Sequence, residues 1–354
     1  MAGAQCFPEP EDSVADNKRG NTMTTNSEFK AWRVEERDGE YQGSEQTLST
    51  ADLSEGEVLI RVSHSSLNYK DALSASGNKG VTRSFPHTPG IDAAGEVVES
   101  ATGAPAVGSQ VIVTGYDLGM NTDGGFGEYI RVPAAWCVPM PSGWDAHTAM
   151  IYGTAGLTAG LCVGKLLKMG ASPEQGKVAV SGSSGAVGSV AVELLANLGF
   201  DVVAISGKAD HADSLKELGA CEVVGRDALT EEKKPLLKPV FANAVDTVGG
   251  TPLAELLKQI QPGGSVSCCG LVAGPQLSTT VLPFILRGVN LLGVDSVEIP
   301  LADKQAVWEK FAGEWKCPKT EASARDIGRA ELDEALKAFL KGASAGKIVL
   351  DHGR

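Results

Sequence analysis

The stretch from Lys177 to Gly199 constrains the fold more than any other part of the chain. An apolar run, Lys177-Val178-Ala179-Val180, leads through Ser181-Gly182-Ser183-Ser184-Gly185-Ala186-Val187-Gly188 into a helical pattern from Ser189 to Leu198. Strand, glycine turn and helix in that order present several backbone N–H groups at a helix N-terminus, where a pyrophosphate is well held. Ser183, Ser184, Gly185, Ala186, Val187 and Gly188 are the expected cradle. The glycines at 182, 185 and 188 fall three apart rather than as G-x-G-x-x-G, so the reading rests on their setting and not on the spacing.

A second apolar strand follows, Asp201-Val202-Val203-Ala204-Ile205, and ends in Ser206-Gly207-Lys208. Dinucleotide folds that take NAD carry an acidic residue about 20 positions after the glycines, which grips the ribose 2′-hydroxyl. Here the strand end carries none, so nothing would repel a 2′-phosphate. Ser206 can donate a hydrogen bond and Lys208 supplies a charge, which reads as an NADP pocket. A neutral turn with a solvated lysine is the plain alternative. Arg226 is either a second cation for the same pocket or an exposed side chain.

The 354 residues exceed one typical domain, and 42% hydrophobic content is enough for two cores. A net charge of −13 argues against nucleic acid or an anionic membrane as partner, so any anionic ligand needs a local basic pocket. The seven cysteines show no C-x-x-C pairs and no compact disulfide framework, as expected of free thiols in a reducing compartment. No run reaches the roughly 18 uninterrupted apolar residues of a membrane span. Residues 1–28 mix prolines and acids, lack a secretory apolar region, and read as a disordered extension, with Met23 as an alternative start. A cytoplasmic protein is expected, with a noncanonical organellar segment left open.

From 29 to 152 short strands are broken by glycine and proline, which suits a partly open β-barrel. From 153 to 298 strands near 177–181, 201–205, 221–224, 242–246, 264–269 and 289–295 alternate with helices at 188–199, 211–219 and 251–261. That alternation predicts a doubly wound parallel sheet of the Rossmann type. The segment 299–354, with helical stretches near 302–312 and 331–341 and a last strand from Lys347 to Leu350, is expected to rejoin the first domain.

A barrel-like domain ahead of a Rossmann unit resembles the medium-chain dehydrogenase/reductase superfamily over nearly everything after residue 28. Four separated motifs narrow the resemblance: Ser65-Ser66-Leu67-Asn68-Tyr69-Lys70-Asp71, Pro89-Gly90-Ile91-Asp92-Ala93-Ala94-Gly95, Gly153-Thr154-Ala155-Gly156, and Leu282-Pro283-Phe284-Ile285-Leu286-Arg287-Gly288-Val289. Together they look like the zinc-independent quinone-oxidoreductase branch, in its acryloyl-CoA reductase subfamily. The resemblance implies a GroES-like catalytic domain, an NADPH cofactor, a small acyl-CoA substrate and a homodimer. Zinc-dependent relatives have Cys where this chain has Asn68 and a His-Glu pair where it has Ile91-Asp92, so no metal is expected.

Without a Lewis acid, protonation must come from side chains, backbone or water. The resemblance places Asn68 and Tyr69 beside the nicotinamide, with Tyr69 the leading proton donor and a purely positional role as its alternative. Thr154 opens a small-residue stretch that allows close backbone approach to a ligand. Leu271 follows a sheet strand at the carboxyl edge, where such folds bind ligands. Ile285, Arg287 and Ser296 are expected among cofactor or dimer-edge contacts, and Gly346-Lys347 reads either as a cofactor contact from the returning tail or as a plain turn. The expected reaction is NADPH-dependent reduction of a short 2-enoyl-CoA, acryloyl-CoA to propanoyl-CoA. Two alternatives stand beside it: an NADPH quinone or general α,β-unsaturated carbonyl reductase, and a non-catalytic NADPH-binding protein.

Overall fold

A computed structural model describes residues 27–343 and 346–354. The amino-terminal extension and Met23 fall on residues 1–26, outside the described residues. Two long strands, β1 (Glu28–Arg37) and β2 (Glu40–Ser49), pair in unbroken antiparallel register, Glu28 with Ser49 through Arg37 with Glu40. The turn is Asp38-Gly39, both at positive φ (54° and 82°), the geometry an Asp-Gly hairpin favours. Val34 and His87 exchange backbone hydrogen bonds, and Trp32 N–H donates to Phe126, which fastens the hairpin to the barrel.

The barrel sheet is built from β3 (Val58–Ser66), β4 (Asp92–Ser100), β5 (Gln110–Thr114), β6 (Tyr129–Val132) and the short β7 (Val138–Pro139). A two-turn helix, α1 (Tyr69–Ala75), leaves β3 directly. A helix the sequence pattern did not mark, α2 (Ala146–Lys168), then crosses from the barrel into the second domain. It is long and apolar enough to span a membrane by length and composition, with mean hydropathy 1.3, yet 72% of that window is buried inside the protein. Its Leu157, Cys162 and Val163 share one core with barrel residues Ala94 and Ile112 and with Val180 and Val245 of the second domain. α2 is therefore the spine the two domains pack on.

The second domain has β8 (Val178–Ser181), α3 (Ala186–Asn197), β9 (Val202–Ile205), α4 (Ala212–Glu217), β10 (Glu222–Val224), β11 (Asn243–Asp246), α5 (Gly250–Leu257), β12 (Ser265–Cys268), α6 (Leu282–Arg287) and β13 (Asn290–Gly293). All its pairings are parallel, in the order β10-β9-β8-β11-β12-β13. Every residue of β8, β9 and β11 is buried, as expected of central strands covered on both faces. The strand order reverses between β8 and β11, which opens the crevice where doubly wound sheets bind ligands.

The tail does more than return to the barrel. α7 (Leu301–Ala312) packs on α2, and α8 (Pro318–Ser323) docks on α3, where the buried Glu193 carboxylate accepts from Lys319 N, Thr320 N and Thr320 Oγ1 at 2.9, 2.7 and 2.7 Å. Then β14 (Arg325–Ile327), α9 (Leu332–Leu340) and β15 (Ile348–Asp351) join the first domain, β15 pairing antiparallel with β3 so that Val349 faces Ser66.

α2 is broken at Gly153, whose φ of 50° and ψ of −159° are far from helical. A Cβ there would overlap Ser66 Oγ and come within 2.6 Å of Asp92 Oδ2. Gly153→Ala should therefore lose about 1–3 kcal/mol to backbone strain alone, with the steric overlap adding to it. Equilibrium denaturation reads this directly, and a midpoint equal to the parent's would mean that the break is not required.

Candidate active site

At the carboxyl edge of the parallel sheet, Gly182 turns at positive φ (63°) and Gly188 packs so closely that a Cβ would overlap the Gly182 carbonyl. The first-turn N–H groups of α3, at Ala186, Val187 and Gly188, have no acceptor within the helix and face the mouth of the turn. Ser183 Oγ is buried there with no partner among the described residues. Across the crevice Ser181 Oγ donates to Asp246 Oδ1 at 2.5 Å, and Asp246 Oδ2 accepts from Gly249 N–H at 2.8 Å, so the neighbouring loops are tied to the turn. The residues 183–188 are thus together and shaped as a cradle that glycine alone permits.

Beside it lies a cleft of about 400 Å³ lined by Ser206, Gly207, Lys208 and Arg226. Ser206 Oγ bonds Ser184 Oγ at 3.1 Å and accepts from Lys208 N–H at 3.1 Å, which joins this pocket to the cradle. Arg226 folds back over the chain, and a Cβ on Gly207 would overlap its guanidinium. Gly207 is what lets the second cation reach the cleft. The donor set, one hydroxyl and two cations with no carboxylate at the strand end, fits a phosphorylated ribose.

The other half of the site is built on Asp92, first residue of β4 and fully buried. Its Oδ2 accepts from Ser66 Oγ, from Asn68 Nδ2 at 2.9 Å and from Thr154 N–H at 2.8 Å, and its Oδ1 from Thr154 Oγ1 at 2.5 Å. Asn68 caps α1, and Asp71 Oδ2 reaches back to the Asn68 N–H at 2.7 Å while Oδ1 takes Ile91 N–H at 2.8 Å. Tyr69, the first residue of α1, is 43% exposed, and no described residue hydrogen-bonds its hydroxyl. Ser296 joins from the far side, accepting from Thr158 Oγ1 at 2.9 Å.

Two buried lysines flank this network. Lys347 Nζ donates to the Tyr152 carbonyl at 3.0 Å, and Lys304 Nζ donates to Thr114 O at 2.6 Å and Val297 O at 3.0 Å while lying 3.4 Å from the Tyr116 ring centroid. Burial pulls both ammonium groups down to about 8, with Asp92 the charge that most opposes this. Burial, and after it the Asp92 charge, pushes Asp71 up to about 7. An unfolded aspartate ionises near 3.9. Between those values the folded chain holds a proton the unfolded chain has released, so this contribution is full below about pH 4 and is lost as pH rises through 7. Relative to Asp71→Asn, which does not titrate there, the parent should lose stability from pH 5 to 7.5 and level off above 8. A pH-independent difference in denaturation midpoints would contradict that.

Two expectations, for Arg287 and Asn68, need correction. Arg287 spends its guanidinium on the carbonyls of Lys258, Ile260 and Leu237 at 2.8, 3.2 and 2.5 Å. Its own carbonyl takes Gly263 N–H just before β12, so it stands at the amino edge of the sheet, opposite the cradle. Ile285, in α6, is 68% exposed, as are Val281 and Leu286 nearby at 63% and 64%. Asn68 is at the site, but its amide hydrogens go to Asp92 and to the Ser66 carbonyl at 3.4 Å, which makes it a holder of Tyr69 and not a donor to substrate. Leu271 is exposed in the loop after β12, whose Gly270 lies hard against Thr247. The motif marks Asp92 only as a vacated ligand position and gives no sign of this network. The one signal in the sequence is an acid opening the otherwise apolar Asp92-Ala93-Ala94-Gly95.

Residues 54–142 match the alcohol dehydrogenase GroES-like domain and residues 186–313 the zinc-binding dehydrogenase family. The acrylyl-CoA reductase AcuI of Ruegeria pomeroyi is 42% identical over 90% of this chain and 96% of its own length. The chain belongs to the acryloyl-CoA reductase subfamily of the medium-chain dehydrogenases/reductases. YhfP of Bacillus subtilis, whose name assigns it provisionally to the quinone oxidoreductases, is 44% identical over 91% of this chain and 98% of its own. Its crystal structure with NAD bound superposes with a TM-score of 0.89 at 43% identity, covering 92% of this chain and 99% of that one. YhdH of Escherichia coli K-12 with bound NADPH gives 0.87 at 44% identity, covering 91% and 99%. Among the described residues of this subfamily member no group of three or more His, Cys, Asp or Glu is placed to hold a metal ion.

Proposed function

We propose that this chain reduces the alkene of a short 2-enoyl-CoA with NADPH, converting acryloyl-CoA to propanoyl-CoA. The observation that carries the reading is a two-cation nucleotide cleft with no acid at the end of β9, joined through Ser206 and Ser184 to the 183–188 cradle, in a chain that leaves Tyr69 43% exposed. NADPH supplies a hydride to the β-carbon of the alkene. Ser206, Lys208 and Arg226 hold its 2′-phosphate, and the 183–188 turn its pyrophosphate. Thr154 and Ser296 border the nicotinamide. Tyr69 Oη gives its proton to the α-carbon of the enolate, and packing of the domains about α2 positions the partners and excludes water.

Initial rates with acryloyl-CoA, crotonoyl-CoA and a benzoquinone, each with and without a chelator, test this. Preference for acryloyl-CoA, undiminished by chelation, is expected. Preference for the quinone would support the second reading, favoured by the name of YhfP, of a quinone or general enone reductase. Turnover of none would leave an NADPH-binding protein.

The chain pairs with a second copy of itself along β13, the open edge of the parallel sheet, where Val281, Ile285 and Leu286 are 63%, 68% and 64% exposed. Sedimentation at the mass of a single chain would withdraw the dimer. Its compartment is the cytoplasm, in keeping with six free cysteines among the described residues.

A further inference from the structure

The break in α2 stands where the chain passes from one domain to the other, and both backbone groups around it are met by buried charge. Thr154 N–H donates to the Asp92 carboxylate at 2.8 Å. On the other side of Gly153 the Tyr152 carbonyl takes the Lys347 ammonium at 3.0 Å. Asp92 and Lys347 are 0% and 2% exposed. They come from β4 and from the turn into β15, strands that pair with opposite sides of β3. β3 in turn supplies Ser66 to the same carboxylate. A broken helix ordinarily leaves its freed groups to water or to neutral partners. Here each freed group meets a buried charge that complements it, which makes the hydrogen bonds stronger than neutral ones.

The same carboxylate holds the Asn68 side chain, and Asn68 begins the helix that presents Tyr69. Asp92 thus sets two things at once: the position of Thr154 at the nucleotide side and of Tyr69 at the substrate side. We infer that Asp92 and Lys347 are positioning residues for hydride and proton transfer, a two-charge clamp on the α2 break that fixes the Thr154 segment relative to Asn68 and Tyr69. The arrangement performs with a carboxylate what a bound metal ion does elsewhere, cross-linking segments distant in sequence, and it explains why position 153 is glycine. The clamp's effect on rate depends on the reductase reading above, whereas its effect on the helix break does not.

Asp92→Asn and Lys347→Gln each keep a hydrogen-bonding group and remove the charge. Amide exchange of peptides covering 150–158, measured on the full-length protein, should speed up tenfold or more in both, with little change in the rest of α2. With acryloyl-CoA, kcat should fall about 10²-fold, the loss that a misplacement near 1 Å produces, while KM moves only a few-fold. The isotope effect with 4-deuterated NADPH should rise as hydride transfer becomes limiting. A clamp acts as one unit, so the double variant should cost little more than the worse single one.

Parent-like exchange at 150–158 in either folded variant, parent-like kcat and isotope effect, or full additivity in the double variant would each overturn the inference. Should Asp92→Asn fail to fold, Lys347→Gln carries the whole test. A parent protein active on benzoquinone but not on acryloyl-CoA withdraws the substrate reading and leaves the clamp to be tested on the quinone. A parent inactive on both leaves amide exchange to decide it.

Discussion

Tyr69→Phe should lower kcat for acryloyl-CoA by roughly 10²–10⁴-fold, the range general acid catalysis contributes, while NADPH affinity changes little. The substitution keeps the ring and removes only the hydroxyl. That hydroxyl is placed for transfer to a bound molecule: Tyr69 is 43% exposed at the first position of α1, and no described residue hydrogen-bonds its Oη. Its anchoring is separate from its function, because Asn68 and Asp71 hold the backbone at that point through Asp92 and the Ile91 N–H. Loss of the hydroxyl should therefore leave folding stability within a few tenths of a kcal/mol, as for surface substitutions away from special features. If kcat is unchanged while a deuteride isotope effect shows that chemistry limits the rate, Tyr69 leaves the mechanism and water becomes the proton source. If NADPH binding weakens and kcat holds, the ring and hydroxyl serve the cofactor.

Lys208→Ala should weaken NADPH about tenfold to a hundredfold and leave NADH nearly unaffected, since a hydrogen bond to a charged group is worth about 1.5–3 kcal/mol. Lys208 lines the cleft with Ser206 and Arg226, and the cleft has no acid at the end of β9 to favour an unphosphorylated ribose. Arg226→Ala should act in the same direction. The two cations face one cleft, so their losses need not add. Titration of the parent and both variants with NADPH and NADH decides the matter, and equal dissociation constants for the two nucleotides in the parent would remove the 2′-phosphate assignment. The contrast has a point, since YhfP, 43% identical in the solved structure, was crystallised with NAD and YhdH with NADPH.

Much of this was legible in the chain because it rests on local order. A buried parallel strand must be a short apolar run, and a glycine turn before a helix makes the nucleotide cradle by backbone alone, so β8, β9, β11 and the 183–188 turn are written contiguously. The missing acid after β9 was legible for the same reason: strand end and ribose site lie at a fixed distance along the chain. Asn68 and Tyr69 were found through a motif, which marks position but not contact. What a side chain touches depends on segments far away in sequence. Arg287 sits in a motif yet serves three carbonyls at the amino edge of the sheet, because α6 packs there and a guanidinium takes the acceptors within reach. α2 went unmarked because its Gly153 and its small residues suggest a loop or a close approach, and only burial between two domains makes so interrupted a pattern one helix. Asp92, Lys347 and Lys304 lie 255 and 43 residues apart in turn, from 92 to 347 and from 347 back to 304, and no periodicity connects them. The meeting of Asp92 and Lys347 around one break in α2, and the placing of Lys304 on the carbonyls of Thr114 and Val297, are decided by tertiary structure, since a charge is retained in a core only where the fold supplies its partners.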